Sequence, residues 1–191
     1  VSRLFPQLYF EEIAKLAAPE LYRHNNPVYY VKEGIKKIES MQIYNGSISF
    51  WENRGESNLW STIYAAHFLL EAKKAGYNVS QSKLNDLLDY ISKQSREKQI
   101  VDYIYYVNNR KVIKKIARKE NIYALYVLAL AGEADISSMN YYRARPHLLT
   151  SDTQYLLAGA YGLVGQMTVF REMLPGSFDV VRAARKSGGW F

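Results

Sequence analysis

Cysteine is missing from the sequence. Its absence excludes disulfides, thiolate metal sites and a cysteine nucleophile from these residues. It leaves the compartment open, because a domain of this size can fold in an oxidising space without bridges. Histidine is almost as scarce. His24, His67 and His147 stand alone in the sequence, without the short spacing that a zinc site needs, so no metal is expected. His67, on an apolar stretch, reads as a core histidine with one satisfied hydrogen bond. Only five prolines interrupt the chain, which leaves room for long helices. No apolar run approaches the roughly 18 residues that cross a membrane. The opening residues show no signal-peptide pattern and read as already helical, so a piece of a longer protein is expected.

What is present suits a single globular unit. The 191 residues are 48% hydrophobic and 23% charged, enough apolar material for a sizeable core. Tyrosine is abundant at 17 residues, and it serves helix packing with one wet end as well as interfaces. The net charge of +7 fits nucleic acid, an acidic surface or nothing specific.

Helical spacing dominates the pattern. A first helix is expected over 2–18, with Ser2 as its N-cap and Pro6 in the first turn. Pro19 and Pro27 bracket a connection, and a second helix follows over 27–41, with Val31, Ile35 and Ile38 on one stripe. Gly34 within it is expected to mark close packing. Residues 42–57 read as a long Gly-containing connection. A third helix spans 58–75 and stops at Gly76; its middle is apolar on nearly all sides, as in a helix buried on more than one face. Glu56 and Ser57 are expected to cap it. A fourth helix runs from Ser80, as cap, to 94. Further helices are expected over 119–131, 137–144, 151–164 and 167–174, with Gly132 and Gly165 as stops.

One segment changes period. Over 102–116, two β-rich runs flank Asn108-Asn109, the signature of a hairpin with a two-residue turn. The implied register sets Tyr105 opposite Val112, Ile104 opposite Ile113 and Asp102 opposite Lys115. An internal echo runs through the helices. Ile63-Tyr-Ala-Ala-His-Phe-Leu-Leu-Glu-Ala72 is similar to Ile122-Tyr-Ala-Leu-Tyr-Val-Leu-Ala-Leu-Ala131, and Leu157-Ala-Gly-Ala-Tyr-Gly-Leu-Val-Gly165 is a weaker third copy. Repeated helix pairs imply a solenoid or an α/α toroid.

Three stretches carry a family resemblance. Ser2-Arg-Leu-Phe-Pro-Gln-Leu-Tyr9 resembles the segment just after the thioester motif of bacterial alpha-2-macroglobulins. Gly46-Ser-Ile-Ser-Phe-Trp51, with Gly55-Glu-Ser57 and 60–72, resembles the Gly-rich loop and next helix of that domain. Tyr123-Ala-Leu-Tyr-Val-Leu-Ala-Leu-Ala-Gly132 is similar to a later helix. The resemblance implies an all-α fold, a partial α/α toroid of about eight helices with one small β-hairpin inserted at about 102–116, all of 1–191 being part of one thioester-type domain. It also implies a protease-trapping inhibitor rather than an enzyme. In that family a Cys and a Gln condense to an internal thioester, which a lysine amine of the attacking protease opens. Both thioester residues would lie upstream of Val1. In some complement relatives a His assists acyl transfer; the matching region here, about 105–119, has none, so amine attack is the expected mode.

The residues expected beside the thioester, or at the surface, are Tyr105, Tyr106, Trp51 and Glu56. The expected partners are target proteases, held covalently only where the parent carries a thioester, and other domains of the parent chain. No cofactor, catalytic residue or nucleic acid is expected, and the compartment implied is the periplasm, the cell surface or the medium. A cut ring would expose Leu4, Leu8 and Ile13 at one end and Val180, Val181 and Trp190 at the other, inviting a dimer without biological meaning.

Two other classes compete. Glu52 and Glu56, flanking Gly55 between aromatics, could serve as acid and base in an α/α-toroid polysaccharide hydrolase or lyase. A helical-repeat interaction module is the other. The basic run Arg110, Lys111, Lys114, Lys115, Arg118 and Lys119 could hold a single strand, but no nucleic-acid module surrounds it.

Overall fold

The computed structural model describes residues 1–9, 16, 26–50 and 56–174. The described part is helical apart from one hairpin, in the order α1 (Phe5–Tyr9), α2 (Pro27–Ser40), α3 (Leu59–Lys74), α4 (Gln81–Ser95), β1 (Ile100–Val107), β2 (Arg110–Ala117), α5 (Lys119–Leu130), α6 (Ile136–Arg143), a 3-10 turn (Pro146–Leu148), α7 (Ser151–Leu163) and α8 (Met167–Met173). The expected all-α arc with one small hairpin is what is found. Ile13, His24, Trp51, Glu52, Gly55, Val180, Val181 and Trp190 lie outside the described residues.

Helix starts follow their caps. The Asn26 side chain accepts from the Val28 N–H at 2.9 Å, just ahead of Pro27 at the first helical position. Two starts differ from the sequence reading. Ser2 does not cap α1; the Val1 carbonyl accepts from the N–H groups of Leu4 and Phe5, and the helix begins at Phe5. Pro6 thereby stays in the first turn, where its missing donor costs nothing. Glu56 and Ser57 do not cap α3 either. Asn58 does, accepting from the Ser61 N–H at 2.9 Å, while the Ser57 hydroxyl accepts from Tyr90 at 3.0 Å. Ser80 is the N-cap of α4, as expected, its carbonyl accepting from the Leu84 N–H at 3.0 Å, while its hydroxyl lies against Ser82 and its N–H donates to Glu39 of α2 at 2.8 Å.

The three echoing stretches fall on α3, α5 and α7. These helices form a central row, with α3 on α5 and α5 on α7. Helix α4 packs on α3 and α5, α8 packs on α7, and α1 and α2 pack on each other and on α3. Helix α5 joins two apolar cores. Its Ala124, Val127 and Leu128 belong to a core with Ile63, Phe68, Leu84 and Ile91. Its Ile122, Leu125 and Ala129 belong to a second, with Met139, Tyr142, Leu157 and Tyr161. Each fully buried Leu, Ile or Phe contributes about 1.5–3 kcal/mol. A helix serving two cores cannot spare a polar face, which is why α5 reads as apolar all round.

Two glycines are required by contact. A Cβ at Gly34 would sit 2.2 Å from a methyl of Leu4, so α1 drops a leucine into a hollow on α2. Gly46 has φ of +87° and lies where a Cβ would meet the Asp86 carbonyl oxygen at 2.4 Å. The connection 42–50 is therefore no surface loop. Ser47, Ile48 and Ser49 are buried; Ile48 donates to Thr62 of α3 at 3.0 Å, and Gln42 donates to the Lys83 carbonyl at 2.9 Å.

The hairpin has the expected register, extended to Ile100↔Ala117 at its base and closed by Val107↔Arg110. Asn108 and Asn109 take φ of 49° and 59°, the pair of positive values a tight twisted turn requires.

Candidate functional site

The strongest constellation lies where α1, α3 and α5 meet. Trp60, Tyr64, His67 and Glu71 follow one another at helical spacing along α3. Phe5 and Tyr9 come from α1, and Tyr123 and Tyr126 from α5. Phe5 is the hub. Its ring stacks on Tyr64 at 5.2 Å and meets His67 and Phe68 edge-on at 5.2 and 5.4 Å. Trp60 lies 5.3 Å from Tyr123 between ring centroids. His67 stands edge-on to both Tyr123 and Tyr126.

Two polar pairs are set in this wall. His67 Nδ1 is 2.8 Å from the Tyr123 hydroxyl, the single hydrogen bond expected of a core histidine. Burial depresses the His67 pKa, against a weaker opposing pull from Glu71. The ring is therefore neutral at neutral pH. Tyr9 donates to the Glu71 carboxylate at 2.8 Å. Partial burial, then that bond and the Glu71 charge, push the Tyr9 hydroxyl up to about 12. Burial pushes Tyr123 and Tyr126 upward as well, so all three phenols stay protonated. The wall is partly open, with Tyr9 59% and Trp60 51% exposed, and with its imidazole neutral and its phenols protonated it presents no activated nucleophile. Among the described residues no group of three His, Asp or Glu side chains is placed to hold a metal ion.

Beside the wall is an apolar cleft of about 370 Å3. Trp60 and Tyr64 form the side it shares with the aromatic cluster; Ile38, Met41, Ile48 and Phe50 form the other, and Val1 and Ser2 stand in it. The segment Ser2–Tyr9 thus connects the cleft to the wall.

The residues singled out from sequence are not gathered here. Tyr105 and Tyr106 sit on β1, on opposite faces of the ribbon, and both are exposed. Tyr105 stacks on Tyr103 at 5.9 Å. Glu56 is exposed ahead of α3, and Trp51 lies outside the described residues. The stripe of Trp60, Tyr64, His67 and Glu71 was the available signal for the wall. Leu4 and Leu8, expected on a cut edge, are covered: Leu4 fills the Gly34 hollow and Leu8 is buried. The extended apolar exposure lies on the hairpin instead.

Stacked helix pairs around two cores, with an aromatic wall along the central row, define a fold of the α/α class. No family model matches the chain. Curated relatives do. The chain is 28% identical over 140 residues to the alpha-2-macroglobulin of Escherichia coli K12, covering 72% of this chain and 8% of that protein. It is 29% identical over 103 residues to that of Xylella fastidiosa, covering 54% and 6%. Solved structures agree on the fold. Trypsin-activated E. coli alpha-2-macroglobulin superposes with a TM-score of 0.68 at 22% identity, over 90% of this chain and 12% of that one. Salmonella alpha-2-macroglobulin reacted with methylamine gives 0.66 at 23%, over 89% and 11%. The chain is homologous to bacterial alpha-2-macroglobulins, and it spans less than a tenth of the length of the curated relatives it matches.

Proposed function

We propose that these residues form part of the thioester-type helical domain of a bacterial alpha-2-macroglobulin-like protease trap, as a scaffold without catalytic chemistry of its own. The observation that carries this reading is the aromatic wall at Ser2–Tyr9. That segment resembles the one following the thioester motif in the family, and its Phe5 lies against Tyr64, His67 and Phe68, with Trp60 and Tyr123 paired beside them. A thioester is an acyl donor that water destroys, so an apolar wall beside it slows hydrolysis until a protease amine arrives. The relatives' structures with trypsin and with methylamine fit an amine-opened acyl group in such proteins. The periplasm or the cell exterior is the setting this reading implies, and proteases are its targets.

The test is made on the parent protein. Its sequence immediately before Val1 is read for Cys-x-Glu-Gln, and the protein is treated with methylamine while released thiol is titrated. One thiol released per chain is the expected result. Faster loss of reactivity in water for Trp60→Ala would tie the wall to shielding. A parent with neither the motif nor amine-released thiol would remove the thioester reading.

A further inference from the structure

The β1–β2 ribbon is apolar and uncovered. Tyr106 is 70% exposed, Ile113 55% and Ile104 49%. Both faces share this state: Ile104 and Ile113 are exposed on one, and Tyr103 and Tyr105 on the other, beside half-buried Val112. Single exposed apolar residues need no explanation, but a contiguous two-sided patch does.

The edges are open too. The sheet has two strands, so each strand presents one edge to solvent. With a two-residue turn closing on Val107↔Arg110, alternate pairs turn their N–H and C=O groups outward: Lys111, Ile113 and Lys115 on β2. Among the described residues no backbone hydrogen bond from another element reaches these groups.

Charge then selects the occupant. Arg110, Lys111, Lys114 and Lys115 oppose the lone Asp102, four positive against one negative, a net +3 for the ribbon. Among the described residues, Lys115 is the one of these cations in an ion pair, with Asp102 at 3.6 Å. Lysines on an edge repel strands in general and copies of this chain, itself +7, in particular. They attract a strand whose alternate side chains are acidic. Nucleic acid is the poorer fit, because the Tyr103 and Tyr105 rings stack on each other instead of standing apart to receive bases.

We propose that the ribbon is a docking arm whose β2 edge takes an extended protein segment of alternating acidic and apolar residues as a third strand. Main-chain bonds to Lys111, Ile113 and Lys115 align the segment. Its carboxylates meet Lys111 and Lys115, which share the face of Ile113, and its apolar side chains lie on the other face beside Val112. The proposal does not rest on the thioester reading, and either can fail alone.

The test uses the full chain and a fluorescein-labelled peptide alternating Glu with Val, beside a control with Lys for every Glu. Anisotropy is expected to show saturable binding of the Glu peptide only, weakening with salt. Ile113→Pro removes an outward donor without touching the ladder between the strands, and should weaken binding about tenfold. The double variant Lys111→Glu/Lys115→Glu should abolish it and turn preference to the Lys peptide. Circular dichroism and tyrosine-region NMR check that the ribbon persists in both. Absence of binding, equal binding of both peptides, or unchanged binding in the charge variant would overturn the proposal. So would self-association lost in Ile113→Pro without peptide binding, or tighter binding of oligo-dT than of the Glu peptide.

Discussion

The central helical row and the hairpin use much the same residues and end in opposite states. Helix α5 contains Ile122, Tyr123, Leu125, Tyr126 and Val127; β1 contains Ile100, Val101, Tyr103, Ile104, Tyr105 and Val107. In α5 these side chains are buried or half-buried, shared between two cores. In β1 every one is exposed. Composition therefore does not decide burial here. Period and neighbours do: α5 has helices on several sides, whereas among the described residues the ribbon packs mainly through its base at Ile116 and Ala117.

Truncating the row should give the largest effect. Phe68 has no exposed surface and touches Phe5. Phe68→Ala should cost about 3–5 kcal/mol in urea unfolding. A cost below about 1 kcal/mol would mean the row is loosely packed and the contrast with the ribbon overstated.

Next comes the buried connection. At Gly46 an added methyl meets Asp86 backbone with φ at +87°. Gly46→Ala should cost about 2 kcal/mol or more, although the residue sits in what reads from sequence as a loop. An unchanged midpoint would show that 42–50 yields easily and is no part of the core.

A smaller effect is expected from pH. The folded-state pKa of His67 lies below its ordinary value of 6.5, so the unfolded chain binds the proton more readily. Stability from this group is intact above pH 6.5 and is lost as pH falls through 6.5 toward the depressed value. Thermal midpoints of His67→Gln should fall less steeply on acidification than those of the unaltered chain. Parallel curves would remove His67 as the source.

The smallest effect belongs to the ribbon. Tyr106→Ser should change stability by no more than about 0.5 kcal/mol. A larger loss would mean that the exposed tyrosines pack in solution and that the ribbon is not free.

The sequence was most informative where structure is local. The hairpin register was legible to the residue, because Asn108-Asn109 fixes the turn and cross-strand pairs must alternate faces. Helix stops at Gly76, Gly132 and Gly165 were legible for a similar reason, and all three take positive φ. Long-range competition hid the rest. Ser80 was legible as the cap of α4, but the reach of its N–H to Glu39 on another helix was not. Glu56 and Ser57 looked like caps until Asn58 proved to be the residue at the helix mouth. The 42–50 connection carries ordinary loop residues, and only the proximity of Asp86 and Thr62 makes it interior. For the site, each stripe of the wall was present in sequence, yet nothing local told Phe5 that it would face Tyr64 and His67.

The leucine seated at Gly34 has a mechanical consequence. A pull applied at Val1 would first stretch the two bonds accepted by its carbonyl, from Leu4 at 2.8 Å and Phe5 at 3.2 Å. It would then have to draw Leu4 out of its hollow on α2 before α1 could swing. The Tyr9–Glu71 bond lies beyond that point and would feel little tension until the leucine let go. The first turn of the chain is thus a detent: it stays rigid under small forces and releases in one step under a larger one. A single early rip in force spectroscopy, moved to lower force by Leu4→Ala, is the expected trace.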